Sequence, residues 1–148
     1  FIYDYAIQTV LDNLWRKIDL EQRDVLNRWH QVAALKIELV AQYPELFNFL
    51  MAAIYAEVNE NTPVLQSTNQ ELLKGFMQDF FAAIDYSLFR PGLNIPRALE
   101  VMNWTIEGFS NKLAGQIKNL ALTEIDFTSI MHELDHYIQL LRDCFYCQ

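Results

Sequence analysis

Apolar residues recur along the chain at helical spacing, and capping residues divide them into six segments. The first covers Phe1 to Ile18, with Tyr3, Ile7, Val10, Leu11, Leu14 and Ile18 on one face. Asp19, with Gln22 three residues on, reads as a capping box that opens a second helix over about Leu20 to Gln42. Its stripe of Val25, Leu26, Trp29, Val32, Ala33, Ile37, Leu39 and Val40 is wide. At the helical rise that segment would span roughly 33 Å. Pro44 ends it and starts a third helix to about Val58, apolar around most of its circumference through Phe47, Leu50, Met51, Ile54 and Tyr55. After a polar loop, Thr62 caps and Pro63 opens a fourth, running to about Ile84. Asp85 to Leu93 is irregular; Asn94 then caps a fifth helix to about Lys118, and Asp126 a sixth ending near Tyr146.

The last two segments carry more apolar surface than one neighbour covers. Leu99, Met102, Ile106, Phe109 and Leu113 form one stripe of the fifth, which Ala98, Val101, Trp104 and Thr105 widen. In the sixth, Met131 and Ile138 broaden the stripe of Ile130, Leu134, Tyr137, Leu141 and Phe145. A helix with two apolar faces needs two partners, and the second can be another copy of the chain. The expectation is an all-α, six-helix domain. Its last two helices, antiparallel through the short Asn119–Ile125 connection, would form an intermolecular four-helix bundle. The expected dimer interface is Leu99, Met102, Ile106, Phe109, Leu113, Met131, Leu134, Ile138, Leu141 and Phe145. The alternative is that both faces are covered within one chain.

Composition narrows the function classes. With 148 residues, 52% apolar and 14% aromatic, the chain suits one domain with a packed core and not a disordered segment. The net charge is −8, and Arg16, Lys17, Arg23 and Arg28 alternate with Asp12, Asp19, Glu21 and Asp24. Binding to phosphates needs clustered cations, so these residues give no DNA-binding surface. The apolar run Phe49–Ala56 falls far short of the ~20 residues of a membrane helix, so no membrane partner is expected. Phe1 opens inside an apolar-periodic segment with no leader before it, so a piece of a longer cytoplasmic protein is expected. Cys144 and Cys147 read as reduced thiols; a lone CxxC is a weak zinc or redox signal.

Two features offer chemistry. His132-Glu133-Leu134-Asp135-His136 matches the H-E-x-x-H pattern, in which two His one turn apart hold zinc and the Glu activates water. Only 12 residues follow His136, and the remaining histidine, His30, is far upstream. The segment therefore reads as the polar face of an amphipathic helix, with no metal and no catalytic residue expected; a small zinc hydrolase is the enzymatic alternative. Polar residues set into apolar helices are the second feature. Asn103 and Glu107 lie one turn apart beside Trp104, and His30, Lys36 and Glu38 interrupt the second helix. These fit either a cavity with a few placed polar groups, or exposed residues and an internal ion pair such as Lys36–Glu107. The expected ligand-binding set is Trp29, Met51, Tyr55, Phe76, Phe80, Asn103, Trp104 and Glu107. It would suit a small apolar, aromatic effector whose positive charge Glu107 could offset. The alternative is ordinary core.

The segments Ser87-Leu88-Phe89-Arg90-Pro91-Gly92, Arg97-Ala98-Leu99 and Trp104-Thr105-Ile106-Glu107-Gly108-Phe109-Ser110-Asn111 resemble the C-terminal domain of the tetracycline-repressor (TetR/AcrR) family. Leu35-Lys36-Ile37-Glu38-Leu39 followed by Tyr43-Pro44-Glu45-Leu46-Phe47 is similar to the same family. The resemblance implies a regulatory domain over residues 1–148, an effector cavity, a homodimer and no cofactor. It also implies a repressor whose effector relieves operator binding. DNA would be read only by an N-terminal helix-turn-helix domain absent from this sequence, joined through Phe1–Ile18. A helical interaction module without a ligand is the third reading.

Overall fold

The structure, a computed structural model, describes residues 2–46, 48–49, 67–117 and 119–148. Its α-helices are α1 (Ile2–Lys17), α2 (Val25–Gln42), α3 (Ser67–Phe81), α4 (Ile95–Ile117) and α5 (Phe127–Phe145). Residues 44–46 and 48–49 are helical too. Short 3-10 turns cover Tyr86–Leu88 and Leu122–Glu124. Among the described residues the only β-type pairing is an isolated antiparallel bridge between Phe89 and Tyr146. The chain is all-α.

Caps explain where the helices begin. Asn94 Oδ1 accepts from the Arg97 amide at 3.2 Å, and Asp126 Oδ1 from the Ser129 amide at 3.0 Å, so α4 and α5 start where expected. The second helix differs. Its cap is Asp24, whose Oδ1 accepts from the Leu26 amide at 2.9 Å, and the helix begins at Val25. Asp19 instead closes a local turn, accepting from the Glu21 amide at 2.9 Å. α3 stops at Phe81, short of Ile84, because Ala83 takes a left-handed φ of 53° that no helix continues. Most of the expected third helix, and the Thr62–Pro63 start, lie outside the described residues.

The chain divides into two compact units. The first comprises Phe1–Glu21 and Gln31–Ala82, the second Gln22–His30 and Ala83–Gln148, so α2 contributes to both. In the first unit α1 packs on α3. Ala6, Leu14 and Ile18, at four-residue multiples, are buried, as are Val32, Leu39, Val40 and Phe80. The Trp15 and Phe76 rings meet at 5.3 Å, and Lys17 Nζ reaches Glu38 Oε1 at 2.7 Å on the surface. In the second unit α4 packs on α5, and Phe109 meets Tyr137 at 5.6 Å near the middle of both helices. With the short connection between Ile117 and Phe127, that contact makes the pair an antiparallel hairpin. Ala98, Met102 and Ile106 of α4 and Leu134, Ile138 and Leu141 of α5 form its buried face.

Candidate functional site

The second unit contains a polar cluster with no local sequence signal. Arg142 donates from Nη1 to Asp24 Oδ2 at 2.6 Å and from Nη2 to Asn27 Oδ1 at 2.5 Å. The Tyr146 hydroxyl donates to Asp24 Oδ1 at 2.7 Å, and the Arg142 guanidinium lies 5.4 Å from the Tyr146 ring centre. One carboxylate thus caps α2 and anchors the end of α5. Backbone bonds extend the joint: Arg90 N donates to Phe145 O at 3.0 Å and Cys147 N to Leu88 O at 2.8 Å, and the Arg90 guanidinium reaches Cys144 O. Phe89 stacks edge-on against Tyr146 at 5.1 Å. The buried Arg28 donates from Nε to Gln22 O at 2.5 Å, holding the chain that enters α2.

This cluster makes stability sensitive to alkali. Burial raises the pKa of Tyr146 well above the ordinary value of 10.0, and the hydrogen bond to Asp24 and its negative charge raise it further. The folded pKa exceeds the unfolded one, so the contribution is fully present below pH 10 and is lost as pH rises through the folded value. Urea midpoints are expected to fall above pH 10, with a shallower fall in Tyr146→Phe. Equal slopes in the two proteins would contradict this.

The expected ligand-binding residues are distributed as follows. Phe76 and Phe80 lie on α3 in the first unit, rings 6.1 Å apart, and Phe80 is buried. Trp29 is half-buried at the start of α2, and Asn103 half-buried on α4, both in the second unit. Trp104 is 63% exposed and Glu107 is exposed. Met51 and Tyr55 lie outside the described residues. Of the set, Phe76 and Phe80 are brought into direct ring contact. Trp104 lies on the face of α4 opposite Met102 and Ile106, so it presents surface here and not lining.

The residues of the expected dimer stripe differ in their burial within the single chain. Met102, Ile106, Leu134, Ile138 and Leu141 are buried within the single chain, and Leu99, Phe109, Leu113, Met131 and Phe145 are half-buried. α4 and α5 use the five buried members to build the core of the second unit. The accessible face of α4 is the opposite one, carrying Arg97, Val101, Trp104, Gly108, Asn111 and Gly115, every one of them exposed.

The His-Glu segment lies on the outer side of α5. The His132 and His136 rings meet at 4.5 Å, and His136 Nδ1 lies 3.8 Å from Glu133 Oε2. Asp135 Oδ1 pairs with His30 Nε2 at 3.0 Å. Among the described residues no group of three or more His, Cys, Asp or Glu side chains is arranged to hold a metal ion. No described helix is long and apolar enough to cross a membrane. No family model, curated protein or solved structure matches the chain.

Proposed function

We propose that this chain is the effector-sensing and dimerising half of a transcriptional repressor of the tetracycline-repressor type. The observation that carries the reading is Trp104. It falls inside the segment that resembles that family, yet stands 63% exposed in mid-helix, on the side of α4 away from the core. Trp104 is one of nine exposed large apolar side chains among the described residues, and a tryptophan supplies the contact area that association surfaces use. The all-helical architecture agrees with the reading. The effector is a small apolar, aromatic compound able to carry a positive charge, and the aromatic chain Trp15–Phe76–Phe80–Phe81 offers apolar ring surface of the kind it needs. Binding favours one helix arrangement over another and so weakens operator binding. DNA contact falls to an N-terminal helix-turn-helix domain joined through α1, in a cytoplasmic protein without enzymatic activity or cofactor.

The test uses the full-length protein on its operator fragment, titrated with a panel of aromatic cations and neutral dyes. At least one compound should release the DNA and quench tryptophan fluorescence. Phe76→Ala with Phe80→Ala should weaken its binding about tenfold or more. A protein that ignores the panel in both readouts contradicts the sensing role.

The His132–His136 ring contact favours a second reading, a zinc site on α5. Metal quantification after mild purification decides it. Well under one zinc per chain is expected; stoichiometric zinc that disappears in His132→Ala would transfer the proposal to a hydrolase.

A further inference from the structure

His132 and His136 stand one turn apart on α5, both exposed, while Leu134 and Ile138 turn the other way into the core. A spacing of four places two side chains on one face of a helix, one above the other. Their ring centres are 4.5 Å apart. Two imidazoles that bind one metal ion at about 2.0 Å each have ring centres about 4.5 Å apart when the two bonds meet at a right angle, and about 5 Å apart at the tetrahedral angle. The pair therefore stands at the right-angle separation.

The neighbouring carboxylates divide the work. His136 Nδ1 faces Glu133 Oε2 at 3.8 Å. A carboxylate beside one ring nitrogen is the usual companion of a histidine that gives its other nitrogen to a metal, because it favours the right tautomer and makes the ring more basic. Asp135 is engaged elsewhere, with His30 Nε2 at 3.0 Å. No described group of three or more His, Cys, Asp or Glu side chains could hold a metal, so the protein offers this ion two nitrogens and leaves the other positions to water.

We propose that His132 and His136 chelate a divalent ion of square-planar preference, copper(II) before nickel(II), in an open site on the outer face of α5. Copper(II) heads the affinity order for nitrogen donors and takes the right angle without distortion. Zinc prefers a tetrahedron with at least three protein ligands, which this face does not supply. Two nitrogens make a site that exchanges its ion readily, in keeping with the low zinc content expected after purification. The net charge of −8 draws the cation to the chain. Bound across one turn in the middle of α5, the ion also opposes unwinding of that helix, because the unfolded chain does not hold the two rings together.

The test is copper(II) chloride titrated into the untagged chain carrying Cys144→Ser and Cys147→Ser, which removes the two exposed thiols that would compete for the metal. Calorimetry should give one ion per chain, and electron paramagnetic resonance two imidazole nitrogens on it. Copper should raise the urea midpoint. His132→Ala and His136→Ala should each weaken binding about tenfold or more, the advantage of holding two donors together. The decisive variant moves one ring: His136→Gln with Gln139→His keeps three histidines and an exposed site, since Gln139 is exposed, but sets the pair two turns and about 10 Å apart. It should bind as weakly as His136→Ala and lose the rise in urea midpoint. Copper binding indifferent to the moved ring overturns the proposal. So does zinc bound as tightly as copper, which would return the site to the zinc reading above.

Discussion

Asp24→Ala is expected to destabilise the second unit by about 2–3 kcal/mol, below the range for stripping one partner from a fully buried ion pair because this one is part-buried. Asp24 is 13% exposed and Arg142 25%, so water restores only part of what the guanidinium loses. The same carboxylate also accepts from the Leu26 amide and the Tyr146 hydroxyl. Losing the cap alone costs about 1 kcal/mol, and it falls on the start of α2. Asp24→Asn keeps a good capping side chain of nearly the same volume and removes only the charge, so it should cost less, about 1 kcal/mol. Urea denaturation followed by circular dichroism gives both values. A loss under about 1 kcal/mol in Asp24→Ala would mean that Arg142 and Tyr146 find other partners at no cost.

Leu134→Arg should unfold the chain instead of releasing a folded monomer. Leu134 is 3% exposed on the face that α5 turns towards α4. Substitution removes a buried aliphatic side chain and puts an unpaired charge in its place. The loss is on the order of 5 kcal/mol, comparable with the whole stability of a small domain. Trp104→Arg is the contrasting case. Its site is already in water in the single chain, so helix content should survive while association is lost. Circular dichroism and sedimentation on the two variants distinguish core from exposed surface. A soluble, fully helical Leu134→Arg monomer would place Leu134 at a subunit interface and not in the core.

The contrast marks where sequence reading stops. Periodicity shows which residues of the segment around Ile95–Ile117 avoid water, but not whether the chain itself or a second copy covers them. Met102 and Trp104 were both legible as apolar members of one helix. Two residues are about 200° apart on a helix, which puts them on nearly opposite faces. Helix starts were legible where one capping residue precedes the periodic stretch, as Asn94 and Asp126 do. Before α2 there are two candidates, Asp19 and Asp24, and only Asp24 has distant partners in Arg142 and Tyr146. Sequence separations of 118 and 122 residues leave no local trace of that choice. The aromatic pair Phe76 and Phe80 was legible because four-residue spacing stacks side chains along one face of α3.

Native mass spectrometry tests the regulatory reading most directly, because it weighs the assembly and any ligand together. The account predicts a species of twice the 17.4 kDa chain, shifted by the mass of a small aromatic compound when one from the panel is added. A single 17.4 kDa species at every concentration, with no compound retained, would contradict it.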